Sequence, residues 1–307
     1  MNRISVFGDF MTNGVERLYL SDQLQSLLDN SDIKVVNVEA PIRTESRPAR
    51  KSGPNICQTE EAPGWLENHG FNMVSLANNH TMDYGMEGAD ATMKAFKRAK
   101  VIGYGYWDIA YRMEVMTMKD GMRIGFLACT HCEFGTLTEK NKKDTKGTAW
   151  AFNPKMERTI LKCGKDEHID YLVLIVHAGV EYKSVPLPEI RDAYRHFIDL
   201  GADAVIASHP HVPQGWEIWN NKPIFYSLGN FCFDALKKAT PPEHWYESIC
   251  CVLTIDKAHE ATITVKPIIY HPKTNCISEN HSEVFLKYLD NLNQILLDES
   301  KYTETVN

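Results

Sequence analysis

The chain has 307 residues, 43% hydrophobic and 24% charged, and its 33 basic and 40 acidic side chains leave a net charge of −7. That composition belongs to a globular protein with room for a substantial core, and it excludes collagen-like, mucin-like and largely disordered chains. No block of like charge suggests a nucleic-acid footprint, and no apolar run approaches the roughly 18 residues of a membrane span.

Short β-branched runs alternate with segments of helical period, the pattern of an α/β layered fold. Residues 4–8 read as a first strand, 18–28 as a helix and 35–39 as a second strand. A short helix entered at Pro63 ends over 65–69, a third strand covers 73–76, and a helix over 88–99 carries Ala89, Met93 and Phe96 on one face. Residues 111–118 and 123–128 form a predicted hairpin around Asp120-Gly121. The lysine-rich stretch 138–148 has no apolar period; it reads as a surface loop, or as a basic lid over an anionic substrate. Next come a strand over 171–176, a helix over 189–200 and a strand over 204–207. A second hairpin joins 217–219 to 223–228 through Asn220-Asn221, and strands follow over 248–255 and 261–269. A C-terminal helix places Val284, Phe285, Tyr288, Leu289, Leu292, Ile295 and Leu296 on one stripe, to pack on the core or to make a homo-oligomer contact. No repeat or linker divides the chain, so residues 1–270 are expected to form one domain, with 271–307 a C-terminal helix and tail packed on it.

The start has one basic residue, Arg3, and too short an apolar stretch for a signal peptide, so the expected location is cytoplasmic. The eight cysteines are too sparse for a secreted disulfide framework. Cys129 and Cys132 have a CxxC spacing, but no second pair completes a zinc site, and buried thiols are expected.

Polar residues gather where the predicted strands end. Asp9 follows the first strand, Glu39 closes the second, and Asn78-Asn79-His80 follows the third. His177 ends the 171–176 strand, and His209-Pro210-His211 follows 204–207. Residues at the carboxyl ends of strands in an α/β sheet collect in the crevice where ligands bind. Taken singly, an Asp after a strand usually serves a turn, and a His there is ordinarily a surface or core residue. Repetition over five strands is what indicates a site. A mixed oxygen and nitrogen set suits Mn, Fe or Zn better than Ca or Mg, and the lack of cysteine among the donors favours an open catalytic centre over a structural zinc.

Gly8-Asp9, Asn37-Val38-Glu39, Ala77-Asn78-Asn79-His80 with Asp83-Tyr84-Gly85, and His177-Ala178-Gly179-Val180-Glu181-Tyr182 occur in that order. Ser208-His209-Pro210-His211 and Pro223-Ile224-Phe225-Tyr226-Ser227-Leu228-Gly229-Asn230-Phe231 follow. In these blocks the sequence resembles the bacterial capsule and poly-γ-glutamate biosynthesis family, a branch of the calcineurin-like metallophosphoesterases. The resemblance runs over about residues 3–269. It implies a four-layer α/β sandwich, two mixed β-sheets flanked by helices, with a dinuclear divalent-metal centre of Mn, Fe or Zn. By the resemblance, Asp9 and His211 would bind the first metal, Glu39 would replace the bridging Asp, and Asn79, His177 and His209 would bind the second. His80 would protonate the leaving group or stabilise the transition state. Two departures stand out: Met11 occupies the place of the His in the superfamily's Asp-x-His motif, and Glu39 is longer than an Asp.

Around that centre, Arg43 either pairs with an anionic substrate or is a solvated loop residue, and Glu181 either orients a ligand imidazole or faces water. Tyr226 and Asn230 are expected to wall the site, and Asp83 to cap the helix after the Asn79-His80 loop. The expected activity is metal-dependent hydrolysis of a phosphoester, or another anionic ester or amide, of small-molecule or polymer origin, in capsule or exopolymer production. The alternative is a non-catalytic accessory of a polymer ligase or export complex, with polymer-synthesis proteins as partners. A nuclease is disfavoured by the net charge of −7.

Overall fold

Apolar side chains on both faces of the central strands decide the architecture. Between Tyr171 and His177, Val173 and Ile175 join one apolar cluster while Leu172, Leu174 and Val176 join another. A strand buried on both faces has to lie between layers.

The computed structural model describes residues 1–141, 143–234 and 240–306. In chain order the elements are β1 (Asn2–Met11), β2 (Tyr19–Leu20), α1 (Asp22–Asp29), β3 (Ile33–Val38), α2 (Ala62–Asn68), β4 (Met73–Ser75), α3 (Gly85–Ala95), β5 (Lys100–Ile102), β6 (Tyr104–Gly105) and α4 (Trp107–Ala110). There follow β7 (Glu114–Thr117), β8 (Arg123–Thr130), β9 (Gly147–Thr148), α5 (Pro154–Cys163), β10 (Tyr171–His177), α6 (Pro188–Asp199), β11 (Ala204–Ser208), β12 (Pro213–Trp219) and β13 (Lys222–Leu228). The chain closes with β14 (Asn230–Phe233), β15 (Glu247–Ile255), β16 (Ala261–His271), β17 (Cys276–Glu279), α7 (Glu283–Leu297) and α8 (Glu299–Val306).

Nine strands form one sheet in the order β2-β17-β16-β15-β1-β3-β4-β5, with β14 also paired to β1. Six form the second, β12-β13-β11-β10-β8-β7, and β6 pairs with β9 in a small ribbon. Ile4, Val6 and Val35 of the first sheet meet Phe126, Val173, Ile206 and Phe225 of the second in the central core. On the outer face of the larger sheet, Val36 and Val38 pack with Leu24 and Leu28 of α1 and Leu66 of α2. Met156 and Ile160 of α5 and Tyr194 and Phe197 of α6 cover the other sheet. The four layers are helix, sheet, sheet, helix, the expected fold.

Local chemistry sets the element ends that the apolar period misplaces. The first helix begins at Asp22, not residue 18, because Tyr19 and Leu20 pair with Cys276 and Ile277, and Ser21 caps the helix by accepting from the Leu24 N–H. The helix expected to run to residue 99 ends at Ala95, since a Glu67 carboxylate oxygen accepts the backbone N–H groups of Lys97, Arg98 and Ala99 at 2.8, 2.6 and 2.8 Å. Helix α5, with Asn153 as its cap and Pro154 at its first position, had no counterpart in the periodicity reading. The segment after residue 270 is more than a helix and tail, because β17 lies within the larger sheet. Phe285, Leu289 and Leu292 of α7 enter the central core, whereas Val284 is 74% exposed and lies off the buried stripe. Among the described residues no helix is long and apolar enough to cross a membrane.

Candidate metal centre

Both sheets send strand ends to one place. From the larger sheet come Asp9 in β1, Glu39 directly after β3, and Asn79 and His80 after β4. The smaller sheet contributes His177 at the end of β10 and His209 and His211 after β11. A register shift between Phe7 and Asp9 opposite β3 marks a local irregularity beside Asp9, and the His209 N–H crosses between the sheets to donate to Asp9 Oδ2 at 3.1 Å. The strand β1 also runs hard against β14: a Cβ at Gly8 would stand 1.8 Å from the Gly229 carbonyl oxygen, so only glycine fits. His209 and His211 have φ of +105° and +62°, left-handed values that cost about 1–3 kcal/mol each in ordinary residues and are held by the surrounding structure.

Glu39 is the centre of the arrangement. Its carboxylate is 0% exposed, and neither oxygen has a hydrogen-bond partner among the described residues. Glu39 groups with Asp9 and His211 on one side and with His177 and His209 on the other, the ligand atoms of each group lying within 4.8 Å of one another. His177 Nε2 lies 3.0 Å from Asn79 Oδ1, 3.1 Å from His209 Nδ1 and 3.7 Å from Glu39 Oε1. His211 Nε2 is 3.6 Å from the same Glu39 oxygen. A single N–H at His177 Nε2 serves only one of three such neighbours, so lone pairs are left facing one another. A cation is the group that satisfies such a set. Burial first, then the Asp9 and Glu181 carboxylates, push the Glu39 pKa well above 4.5, while burial pushes His177 and His209 down and keeps them neutral donors. These residues fit a divalent metal ion, and Glu39 belongs to both candidate donor groups.

The remaining polar groups orient this set. Asn37 Nδ2 donates to Asp9 Oδ1 at 2.7 Å. Asn230 Nδ2 donates to the carbonyls of His211 and Trp245 at 3.2 and 3.0 Å, which turns its Oδ1 toward His211 Nδ1 at 2.9 Å. The Nδ1–H of His211 is thereby engaged and its Nε2 is left free toward Glu39.

The match that decides the family covers residues 3–235: it is to the family described as Bacterial capsule synthesis protein PGA_cap. The chain belongs to that family. It is 32% identical over 225 residues to the capsule biosynthesis protein CapA of Bacillus anthracis, covering 70% of this chain and 54% of that protein. It is likewise 32% identical over 208 residues to the PGA biosynthesis protein CapA of Bacillus subtilis, covering 66% and 54%. The chain thus spans about half the length of these curated relatives. Among solved structures, a Staphylococcus aureus protein assigned by name only as a 5'-nucleotidase, crystallised with alpha-ketoglutarate, superposes with a TM-score of 0.53 at 14% identity, over 94% of this chain and 57% of that one. The fold is that of the calcineurin-like metallophosphoesterases.

In this PGA_cap member a cleft of about 560 Å³ opens over the centre, lined by residues that include Lys51, His80, Glu133, Glu181, Tyr182 and Trp245. His80 Nδ1 donates to Asp83 Oδ2 at 2.7 Å; Lys51 Nζ stands farther off at 3.3 Å and instead forms an ion pair with Asp83 Oδ1. Asp83 is fully buried and also accepts the Ile56 N–H at 2.7 Å. It therefore holds His80 and the 51–56 loop, a correction to its expected capping role.

Other expectations also change. Arg43 is exposed and lies in a separate pocket with Asn13, Cys57 and Glu60, its N–H bound to the Gln58 carbonyl; among the described residues the cation lining the cleft is Lys51. Tyr226 lies outside the cleft lining: strand alternation turns it outward, where its hydroxyl donates to Glu217 at 2.6 Å and its ring stacks on Tyr194. Asn230 sits beneath the cleft as a support for His211. Glu181 does line the cleft. Met11 packs in an apolar cluster with Ala40, Phe233 and Trp245. Among its described residues the 138–148 stretch is tied down by Lys146 to Asp90 at 2.7 Å and by β9 pairing with β6, and it contributes nothing to the cleft lining; residue 142 lies outside the described residues. Of the CxxC pair, Cys129 is buried and Cys132 exposed, and both thiols are free. Of the residues that sequence reasoning missed, Lys51, Glu133 and Trp245 stand away from predicted strand ends; His131 follows the 123–128 strand at the offset by which Asn79 follows 73–76, but was read only as the interior of that CxxC.

Proposed function

We propose that this protein is a metal-dependent hydrolase acting on a phosphoester or a related anionic substrate within capsule or poly-γ-glutamate-type polymer production. The observation that carries the reading is the fully buried Glu39 carboxylate, unpartnered and flanked by the two sets of neutral or anionic donors. Asp9, Glu39 and His211 would hold one ion, and Glu39, Asn79, His177 and His209 the other. Two divalent ions there would supply Lewis acidity toward the substrate's anionic oxygens and make a water more acidic.

The chain's own residues do the rest. Asp83 holds the Nδ1–H of His80, so that Nε2, once it has also taken up a proton, would give that proton to the departing oxygen and leave the ring neutral. Lys51 compensates the charge of buried Asp83 and places a cation at the cleft. Tyr182 and Trp245, with ring centroids 6.1 Å apart, give one side of the cleft an aromatic wall.

The test is a phosphoester screen of the metal-loaded protein beside His80→Ala. Activity in the wild type that falls by a factor of about 10²–10⁴ in the variant, with metal content retained, is expected. Full activity in the variant would refute the role of His80. A second reading, a metal-containing accessory of a polymer-synthesis complex, is favoured by Met11, which puts a thioether in an apolar cluster where the superfamily motif has an imidazole. Metal binding with no turnover of any phosphoester would support it.

A further inference from the structure

We propose that His131, Glu133 and His209 form a third cation seat at the edge of the cleft, separate from the two positions around Glu39. It rests on the metal-centre reading only through His209, which both would share: one ring nitrogen would serve each seat, and the ring proton would pass to solvent when both are filled. Each of the three offers a donor atom, and the three atoms lie within 4.8 Å of one another.

Two features set this group apart from an ordinary surface ion pair. His131 Nε2 is buried, and Glu133 Oε1 stands 3.1 Å from it. The ring nitrogen and the carboxylate oxygen gather with a third donor, His209, an arrangement that a cation would complete. The His131 and His209 rings meet edge to face, with centroids 4.4 Å apart.

The turn that presents these side chains is built rigidly. The Thr130 hydroxyl and the His131 N–H both donate to the His177 carbonyl, at 2.9 and 3.1 Å. Thr136 closes the turn: its hydroxyl accepts from the Glu133 N–H at 3.1 Å and donates to the His131 carbonyl at 3.3 Å. A solvent-exposed ion pair, worth about 0–1 kcal/mol, gives no reason to pin both partners beside a third donor.

Two imidazoles and one carboxylate, with a coordination position left for solvent or substrate, are the donor set of open zinc sites. Glu133 also lines the cleft, so a cation held there lies beside whatever the cleft binds. The ligand class is a divalent cation of the zinc type.

The experiment is a titration of metal-free full-length chain with Zn²⁺ by calorimetry, with elemental analysis after removal of free metal. Wild type is compared with His131→Ala and with the isosteric Glu133→Gln, a substitution at an exposed side chain that leaves the core intact. Each variant is expected to bind one equivalent fewer than wild type while keeping the two that belong to Glu39, and to unfold at the same urea concentration as wild type in EDTA. Equal stoichiometry in wild type and Glu133→Gln would overturn the third seat and leave the Glu39 centre standing. Loss of all bound metal in Glu133→Gln would overturn the claim that this seat is separate. A wild type that binds no Zn²⁺ would overturn both readings.

Discussion

Replacing Glu39 by Gln keeps the shape of the side chain and removes its charge, and the two states of the protein should respond in opposite directions. Without metal, the wild type carries a carboxylate at 0% exposure with no hydrogen-bond partner among the described residues. An unsatisfied buried polar group costs about 1–3 kcal/mol, and a charged one more. The Gln amide is still a buried polar group, so the substitution removes only the excess cost of the charge beside Asp9, and the Glu39→Gln protein is expected to be more stable than wild type in EDTA by about 1 kcal/mol or more. With Zn²⁺ at one hundred times its dissociation constant, the wild type gains about 2.7 kcal/mol per site. The variant has lost the charged oxygen shared by both donor sets and gains far less, so the order of stabilities inverts. Urea unfolding of both proteins at mildly alkaline pH, in EDTA and in Zn²⁺, reads this directly. A variant less stable than wild type in EDTA, or one that gains as much from Zn²⁺, would refute the reasoning.

Gly8→Ala forces a Cβ against the Gly229 carbonyl, which is backbone and cannot rotate away, and loosens the Asp9 N–H bond to that oxygen; a loss of about 2–4 kcal/mol is expected in urea unfolding, and a loss below about 0.5 would show that β1 and β14 part easily. Asn230→Ala frees the His211 ring and should weaken Zn²⁺ binding about 10–100-fold in a chelator competition, with unchanged affinity showing that the amide does not orient the imidazole. Burial opposes ionisation of Glu217, but the Arg195 and Tyr226 hydrogen bonds and the charges of Arg195 and Arg191 outweigh it and hold its pKa below 4.5. Its contribution to stability is therefore present above about pH 4.5 and is lost as pH falls through the lower folded value. Glu217→Gln should cost about 3 kcal/mol at neutral pH, because Arg191 stays buried with only the Glu299 and Leu296 partners, and should flatten the acid side of the stability profile; an unchanged acid slope would contradict this.

The layered fold was legible because its central strands are apolar on both faces, as in 171–176, and the donor set because each donor ends or follows a strand. Strand alternation, once the register is known, also explains why Tyr226 leaves the cleft: Phe225 takes the central core and Tyr226 the outer face. What could not be read depends on contacts far apart in sequence. Lys51 and Arg43 lie on the same irregular loop, and only the Lys51–Asp83 pair and the Arg43–Gln58 backbone bond assign the cleft to Lys51. Trp245 reaches the cleft from a connection with no period, held by its indole N–H to the Phe233 carbonyl at 3.2 Å. His131 and Glu133 are two residues apart on a turn, a spacing that periodicity does not register. Strand β17 is four residues long and exists because β16 and β2 pair with it.

The most direct test of the central claim is anomalous scattering from crystals of the Zn²⁺-loaded protein. Besides the peak expected at His131 and Glu133, two peaks are predicted on opposite sides of the Glu39 carboxylate, one within reach of Asp9 and His211 and the other of Asn79, His177 and His209. A Glu39 side chain turned away from any metal, or a single peak with Asp9 and His211 left uncoordinated, would contradict the account.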